Sequence, residues 1–400
     1  MASTRMFLSV CVFARAAAAN VITDWDEKAV ALVPPSAAGQ RMMALVDAAM
    51  FDAVNAIERR YKPYLVEATA SPEASKEAAA ASAAAAVLVA QPGVDAAAAK
   101  TALAAALAAL PDGPGKLEGV KLGEAVGARV SAARAHDGSD APDAYRPHTK
   151  PGVYVPTPLT VASTWPSMTP FAMTKASQFR PPPPPSLKSK EWAASYNEIK
   201  DYGGKTSSKR SPEQTETARF WLMVGPPAYH PFARAIARAE DLDVVDTARL
   251  MALYSSALTD AYIAVFDAKY TYELWRPITA IRNGDLDDNP ATVRDPVWQP
   301  IDATPMHPEY PCAHCIESGA AVAVIAAVIG RNDIPETAVT STTAPGVTHR
   351  FTSLKAFADE IAQARIWAGF HYRFSTEVGR DMGEKIGAYV AANVMQPLRR

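Results

Sequence analysis

The chain is poor in cysteine, carries no surplus charge of either sign and has no apolar run long enough to cross a bilayer. Of its 400 residues only 3 are cysteine, too few for a disulfide scaffold. With 40 Lys+Arg against 42 Asp+Glu, it lacks the concentrated basic surface that sequence-independent nucleic-acid binding needs, so no nucleic-acid partner is expected. Even the apolar run from Gly319 to Gly330 falls short of the ~18 to 20 residues of a membrane span, and none is expected. Missing too is any long, strict alternation of Val, Ile or Thr with polar residues, which leaves no basis for an extended sheet.

What is present is helical spacing and alanine. Met42, Leu45, Val46, Ala49, Phe51, Val54 and Ile57 recur on one face over residues 38–60, which predicts a buried helix. An alanine-rich span over residues 73–110 is broken by Pro92 and Gly93, and another helical pattern covers residues 116–134. The fold class that follows is all-α, built of packed helical bundles. Residues 1–19 join a basic Arg5, an apolar stretch from Met6 to Ala14 and small residues at Ala17 and Ala19. They read as a secretory signal, so an exported protein, periplasmic or extracellular, is expected. An N-terminal helical region then spans 20–137. A Pro-rich connection spans 138–189 and ends in the run Pro181 to Pro185, which favours extended polyproline geometry over helix. Tyr154, Trp165, Phe171 and Phe179 predict that this connection lies against the surface and walls a pocket. Helical patterns resume at Glu191, Pro212, Pro231 and Asp243, and residues 190–400 form a C-terminal helical region packed with the first as one unit.

Three segments of that region carry chemistry. In the first, Lys269 and Arg276 stand seven residues apart before Pro277; on one helix they would share a face, roughly 10 Å apart along the axis, and converge on one anion. The second reads His307-Pro308-Glu309-Tyr310-Pro311-Cys312-Ala313-His314-Cys315 ahead of an Ala/Val/Ile-rich stretch ending near Gly330. Proline and small residues opening a helix set its free N–H groups and positive dipole end toward an anion, with His314 in the first turn as a proton acceptor. Cys312 and Cys315 also fit a C-x-x-C pattern, for which a redox dithiol, half a zinc site and a disulfide all stand as readings. In the third, Arg365 and His371 are six apart and meet only if the helix stops between them. Gly369 permits that stop, with Ser375 as N-cap of the next helix.

Taken in order, Lys-x6-Arg-Pro, then Pro-small-small-His at a helix start, then Arg-x3-Gly-x-His resembles the vanadium-dependent haloperoxidases and the type 2 phosphatidic acid phosphatases that share their superfamily. The first segment and the His-Tyr-Arg-Phe string are more similar to chloroperoxidase and its bacterial relatives. The resemblance implies a helical-bundle fold, vanadate as cofactor, and hydrogen peroxide and halide as partners, with an organic acceptor or a phosphoester as a further substrate class. It implies that His371 is the vanadate ligand, that Lys269, Arg276 and Arg365 neutralise the oxyanion, that Cys312 and Ala313 border it, and that His314 is the acid–base taking a proton from peroxide. It also implies that His307, where chloroperoxidases have Phe and algal bromoperoxidases have His, favours bromide or iodide.

Two departures bear on function. Cys312-Ala313 replaces the usual Ser-Gly, exchanging a hydroxyl donor for a weaker thiol and adding a methyl. Ser375 stands where an Asp is usual, removing an orienting carboxylate and weakening a phosphatase reading more than a vanadate one. The expected function is a vanadate-dependent haloperoxidase. The alternatives are an acid phosphatase with a phosphohistidine intermediate on the same pocket and a degenerate, non-catalytic oxyanion binder.

Overall fold

The computed structural model describes residues 20–398, so the secretory signal expected at 1–19 lies outside the described residues. The N-terminal region holds α1 (Val21–Leu32), α2 (Ala37–Ile57), α3 (Lys76–Ala90), α4 (Ala96–Ala108) and α5 (Pro114–Ala133). The first four are opened by Asn20, Ser36, Ser75 and Asp95, whose side chains accept first-turn N–H groups. The break between α3 and α4 falls at Pro92 and Gly93, as the sequence predicts, with Gly93 at φ +78. Helix α1 is an addition that the apolar pattern did not announce.

After the connection come α6 (Lys190–Tyr202), α7 (Pro212–Phe220), α8 (Pro226–Ala239), α9 (Val244–Tyr272), the short α10 (Pro277–Arg282) and α11 (Ala313–Ile329). A hairpin of β1 (Asp333–Thr340) and β2 (Thr348–Ser353), antiparallel, precedes α12 (Leu354–Trp367) and α13 (Arg373–Asn393). The all-α expectation therefore holds with this one small sheet added. Helix α8 starts five residues before the expected Pro231, which lies inside it.

Helix α9 is the axis of the molecule. It is buried almost continuously from Val245 to Lys269 and packs against α2, α11 and α13. The two helices that frame the site, α11 and α13, touch along their length because glycine faces the contact: a Cβ on Gly383 would stand 2.0 Å from the Ile316 carbonyl oxygen. The Pro-rich connection is fastened down. Asp260 of α9 accepts the N–H groups of Phe171, Ala172 and Met173 at 2.6, 2.8 and 2.8 Å, and Arg180 pairs with Asp267 through two hydrogen bonds. Tyr154, Trp165 and Phe171 are buried by this docking, as expected.

A second polar cluster ties α1 to α8 inside the apolar core. Asp26, fully buried, receives Arg234 at 2.6 Å and His230 Nδ1 at 2.5 Å. Asp26, Asp47 and His230 bring their polar atoms within 4.8 Å of one another, but the Arg234 guanidinium already answers the Asp26 charge. Removing one partner of such a group strands the other in an apolar surround. Asp26→Ala is accordingly expected to destabilise the protein by about 3–5 kcal/mol in denaturant unfolding, and a loss below ~1 kcal/mol would show that the cluster is relaxed or hydrated.

Candidate active site

The first segment folds differently from the one-helix reading. Helix α9 ends at Tyr272 because Glu273 turns left-handed at φ 49, and Pro277 begins α10, with Arg276 at its N-cap. Proline suits that first helical position because it has no N–H to leave unpaired. Lys269 is thus in the last turn of α9 and Arg276 beyond its end, where an extended backbone lets the guanidinium reach inward.

Lys269 is fully buried, and its Nζ donates to the carbonyl oxygens of Pro308 (3.1 Å), Glu309 (2.7 Å) and Pro311. All three ammonium donors are thereby used. Lys269 fixes the loop that carries Glu309 and supplies positive field, without touching the cavity wall. Burial first, then the Arg276 cation, holds its pKa well below the ordinary lysine value.

Arg276 donates through Nε to the His307 carbonyl (2.8 Å) and through Nη1 to the Phe370 carbonyl (3.1 Å); Nη1 also lies 3.3 Å from His371 Nε2, and Nη2 lies 2.9 Å from His307 Nδ1. Burial brings its pKa down to about 10, with Glu309 opposing, so it stays a cation at neutral pH. Arg365, in the last turn of α12, donates to the Trp221 carbonyl at 2.7 Å and stands over the Phe370 ring at 4.8 Å, while its buried Nε has no partner. Its pKa too is lowered to about 10 by burial.

The Gly369 stop is present. Gly369 sits at φ +80, and the N–H groups of Phe370 and His371 return to the Arg365 carbonyl at 3.1 and 3.4 Å, bringing His371 beside Arg365. The next helix, however, is capped at Tyr372; Ser375 lies one turn inside α13, fully buried. His371 Nδ1 is 2.7 Å from Glu309 Oε1, and the same oxygen accepts the Tyr372 N–H at 3.1 Å. A carboxylate only accepts, so Nδ1 carries the proton and Nε2 offers a lone pair. Burial, with Arg276 next, keeps the His371 pKa well below its ordinary value and the ring neutral.

Glu309 is the residue that sequence reasoning missed. The Ser375 departure is answered from another segment: Glu309, 0% exposed, orients His371 in place of the absent Asp. Burial pushes its pKa up to about 7 against the pull of Lys269 and Arg276. A signal was available, since a carboxylate stood in the same string as His307 and His314.

His314 is the second residue of α11, 7% exposed, with Nε2 2.8 Å from the Met223 carbonyl. That acceptor fixes the proton on Nε2 and leaves Nδ1 free to take another. Burial and the nearby Arg365 charge depress its pKa. Cys312 caps α11 through Sγ, which accepts the Cys315 N–H at 3.2 Å, and the two cysteines form a disulfide. Of the three readings of the C-x-x-C pair, the disulfide stands; no free thiol remains among the described residues.

One cavity of about 660 Å³ collects His307, Ala313, His314, Glu317, Arg365 and His371 on its wall, along with Trp165 of the connection. Lys269 and Cys312 stand behind it, and Arg276 borders a second cavity of about 620 Å³ on the far side of residues 303–306. Neutral His371 Nε2, two cations, the unpartnered Nε of Arg365 and the first turn of α11 fit a small oxyanion such as vanadate or phosphate.

Residues 249–400 match the family described as the vanadium chloroperoxidase (VCPO) second helical-bundle domain. The match covers the C-terminal bundle, which is thereby similar to the corresponding domain of the vanadium-dependent haloperoxidases. A curated relative, vanadium chloroperoxidase of Curvularia inaequalis, is 33% identical over 140 residues, 28% of this chain and 22% of that protein's length. Among solved structures, a bacterial vanadium-dependent iodoperoxidase superposes with TM-score 0.77 at 25% identity, covering 94% of this chain and 96% of its own. A holo-type bacterial vanadium-dependent chloroperoxidase gives 0.75 at 18% identity, covering 93% and 97%, and shares the fold.

Proposed function

We propose that the protein is a vanadate-dependent haloperoxidase that oxidises bromide or iodide with hydrogen peroxide to hypohalite. The observation that carries the reading is His371: neutral, proton fixed on Nδ1 by Glu309, and Nε2 unprotonated, with the Arg276 guanidinium 3.3 Å away as its one hydrogen-bond partner among the described residues. That nitrogen would hold vanadate, with Arg276 and Arg365 against its oxygens, Lys269 adding field from behind, and Ala313 beside it in the first turn of α11. When bound, vanadate supplies a Lewis-acidic centre that activates peroxide toward two-electron oxidation of halide with no redox change of its own. His314 holds the other role. Its free Nδ1 takes a proton from hydrogen peroxide, and the Met223 carbonyl keeps the ring in the tautomer that allows it. Fixed, buried cations such as Arg276 and Arg365 stabilise developing charge without reorganising.

The test is competition. Peroxidase activity is expected to appear on adding orthovanadate, to fall as phosphate rises, and to run with bromide and iodide but little with chloride. The halide preference rests on His307 at the cavity wall and agrees with the iodoperoxidase neighbour. Activity that follows iron or haem, or chloride turnover equal to bromide, would contradict it. One observation favours a second reading, phosphoester hydrolysis through His371 as nucleophile: Glu309 gives that histidine the orienting carboxylate such a step requires. A phosphoester assayed in parallel separates the two, and failure of both leaves a non-catalytic oxyanion binder.

The disulfide agrees with an exported enzyme and bears on the Cys312-Ala313 departure. A bonded sulfur cannot donate to an oxyanion, and among the described residues no free thiol remains for hypohalite to oxidise. Cys312→Ser keeps a good helix cap and restores a hydroxyl donor, so vanadate affinity by equilibrium dialysis is expected to hold or rise. Loss of the fold or of binding would show that the sulfur is required.

A further inference from the structure

We infer that Met306 is a modification site: its thioether captures hypohalous acid leaving the main cavity and becomes the sulfoxide, sparing the oxidisable side chains deeper in the protein. The inference rests on the haloperoxidase reading, which supplies the oxidant. Met306 is 41% exposed, whereas every other methionine among the described residues is 7% exposed or less. With Cys312 and Cys315 joined in a disulfide, no thiol among those residues competes for the oxidant.

Position makes that exposure matter. Met306 lines the main cavity and the second cavity beyond the 303–306 stretch, and it precedes His307, whose Nδ1 lies 2.9 Å from Arg276. Its main chain is pinned: the Met306 carbonyl accepts the Val161 N–H at 2.9 Å, and the His307 N–H returns to the Pro305 carbonyl at 2.9 Å. A flexible, polarisable side chain is thus held where the cavity meets solvent. Trp165 and Tyr262, 7% and 6% exposed, line the same cavity, and their rings react more slowly than a thioether. Met223 is 4% exposed, and its carbonyl holds His314, so oxidation there would disturb the proposed base. A sulfoxide is polar: at Met306 water can solvate it, and in the core nothing does.

In the capture step the Met306 sulfur gives an electron pair to the halogen, the halogen–oxygen bond breaks and hydroxide leaves. Water then adds at sulfur, halide departs, and two protons are released, one of which neutralises the hydroxide. Sulfur loses two electrons and the halogen gains them, so the net products are sulfoxide, halide and one proton. The halide is free for another turnover.

The test uses the whole protein loaded with orthovanadate and turning over bromide and hydrogen peroxide in excess free methionine, with peptide mass spectrometry as the readout. Free methionine consumes hypobromite that has reached bulk solution, so only capture at the cavity survives it. Turnover is expected to add one oxygen atom at Met306, at least about tenfold more than an equal amount of reagent hypobromite added from outside, because the oxidant is released beside the sulfur. The other described methionines should stay unchanged. Met306→Leu should oxidise bromide at the parental initial rate but lose activity during turnover at least about twofold faster, with oxidation appearing at Trp165 or Met223. Four results overturn the inference while leaving the haloperoxidase reading intact: bromide oxidation with Met306 unmodified, equal modification by turnover and by outside reagent, modification by peroxide without bromide, or parental inactivation in Met306→Leu. No bromide oxidation at all removes both.

Discussion

Replacing His314 by alanine is expected to lower peroxidase turnover by about 10² to 10⁴, the usual loss on removing a general acid–base, while vanadate still binds. Replacing His371 by alanine is expected to abolish tight vanadate binding while the fold survives. The difference follows from which ring nitrogen each histidine leaves free and what stands beside it. His371 offers Nε2 at 3.3 Å from the Arg276 guanidinium, the position of a ligand among cations. His314 offers Nδ1 from a ring held by a carbonyl, the arrangement of a base. Because burial keeps His314 neutral to well below its ordinary pKa, the acid limb of kcat/KM that it governs should lie below pH ~6.5. Equilibrium dialysis and steady-state rates on the two variants decide the matter, and parental binding and parental rates in both would place the site elsewhere.

Loss of Glu309 should rank next. Its carboxylate holds His371 Nδ1 and the Tyr372 N–H together, and partners that orient a ligating histidine are typically worth about 10- to 100-fold in affinity or activity. Glu309→Gln preserves shape but can present an amide donor to Nδ1, so a loss of that size in vanadate affinity is expected. A pH readout distinguishes orientation from mere packing. With its pKa pushed up to about 7, the parent's carboxylate gains a proton as pH falls through that value, and the charge-assisted bond to His371 is weakened on the acid side and restored on the alkaline side. The Gln variant has no such group and should show no inflection near pH ~7. An unchanged inflection would assign it to another residue.

The helices were legible in the sequence wherever a buried face repeated for several turns, as in α2, or where proline and glycine broke an alanine run, as between α3 and α4. The hairpin was not, because its strands alternate weakly and β1 carries a proline and an irregular register between Asp333 and Thr337. The placing of Lys269 and Arg276 on one helix failed at Glu273, a non-glycine residue in a left-handed turn, for which side-chain identity gives no warning. The Gly369 stop succeeded because glycine does give one. Cavity-lining residues His307, Ala313, His314, Arg365 and His371 were all named from motif order. Glu309 and Glu317 were not assigned roles. Glu309 acts on a residue 62 positions away, and Glu317 is an ordinary helical acid by sequence until its burial is known.

The short stretch after α7 has a reach that its sequence does not advertise. The Trp221 carbonyl holds Arg365 and the Met223 carbonyl holds His314, so one cation and the proposed base are both set by main-chain atoms of a single short loop. Carbonyl oxygens come with every amino acid, so point substitutions there can pass with little trace. An insertion or deletion would move both partners at once. In a laboratory selection for altered reactivity, length changes between α7 and α8 would be the place to retune the site without replacing any residue that lines it.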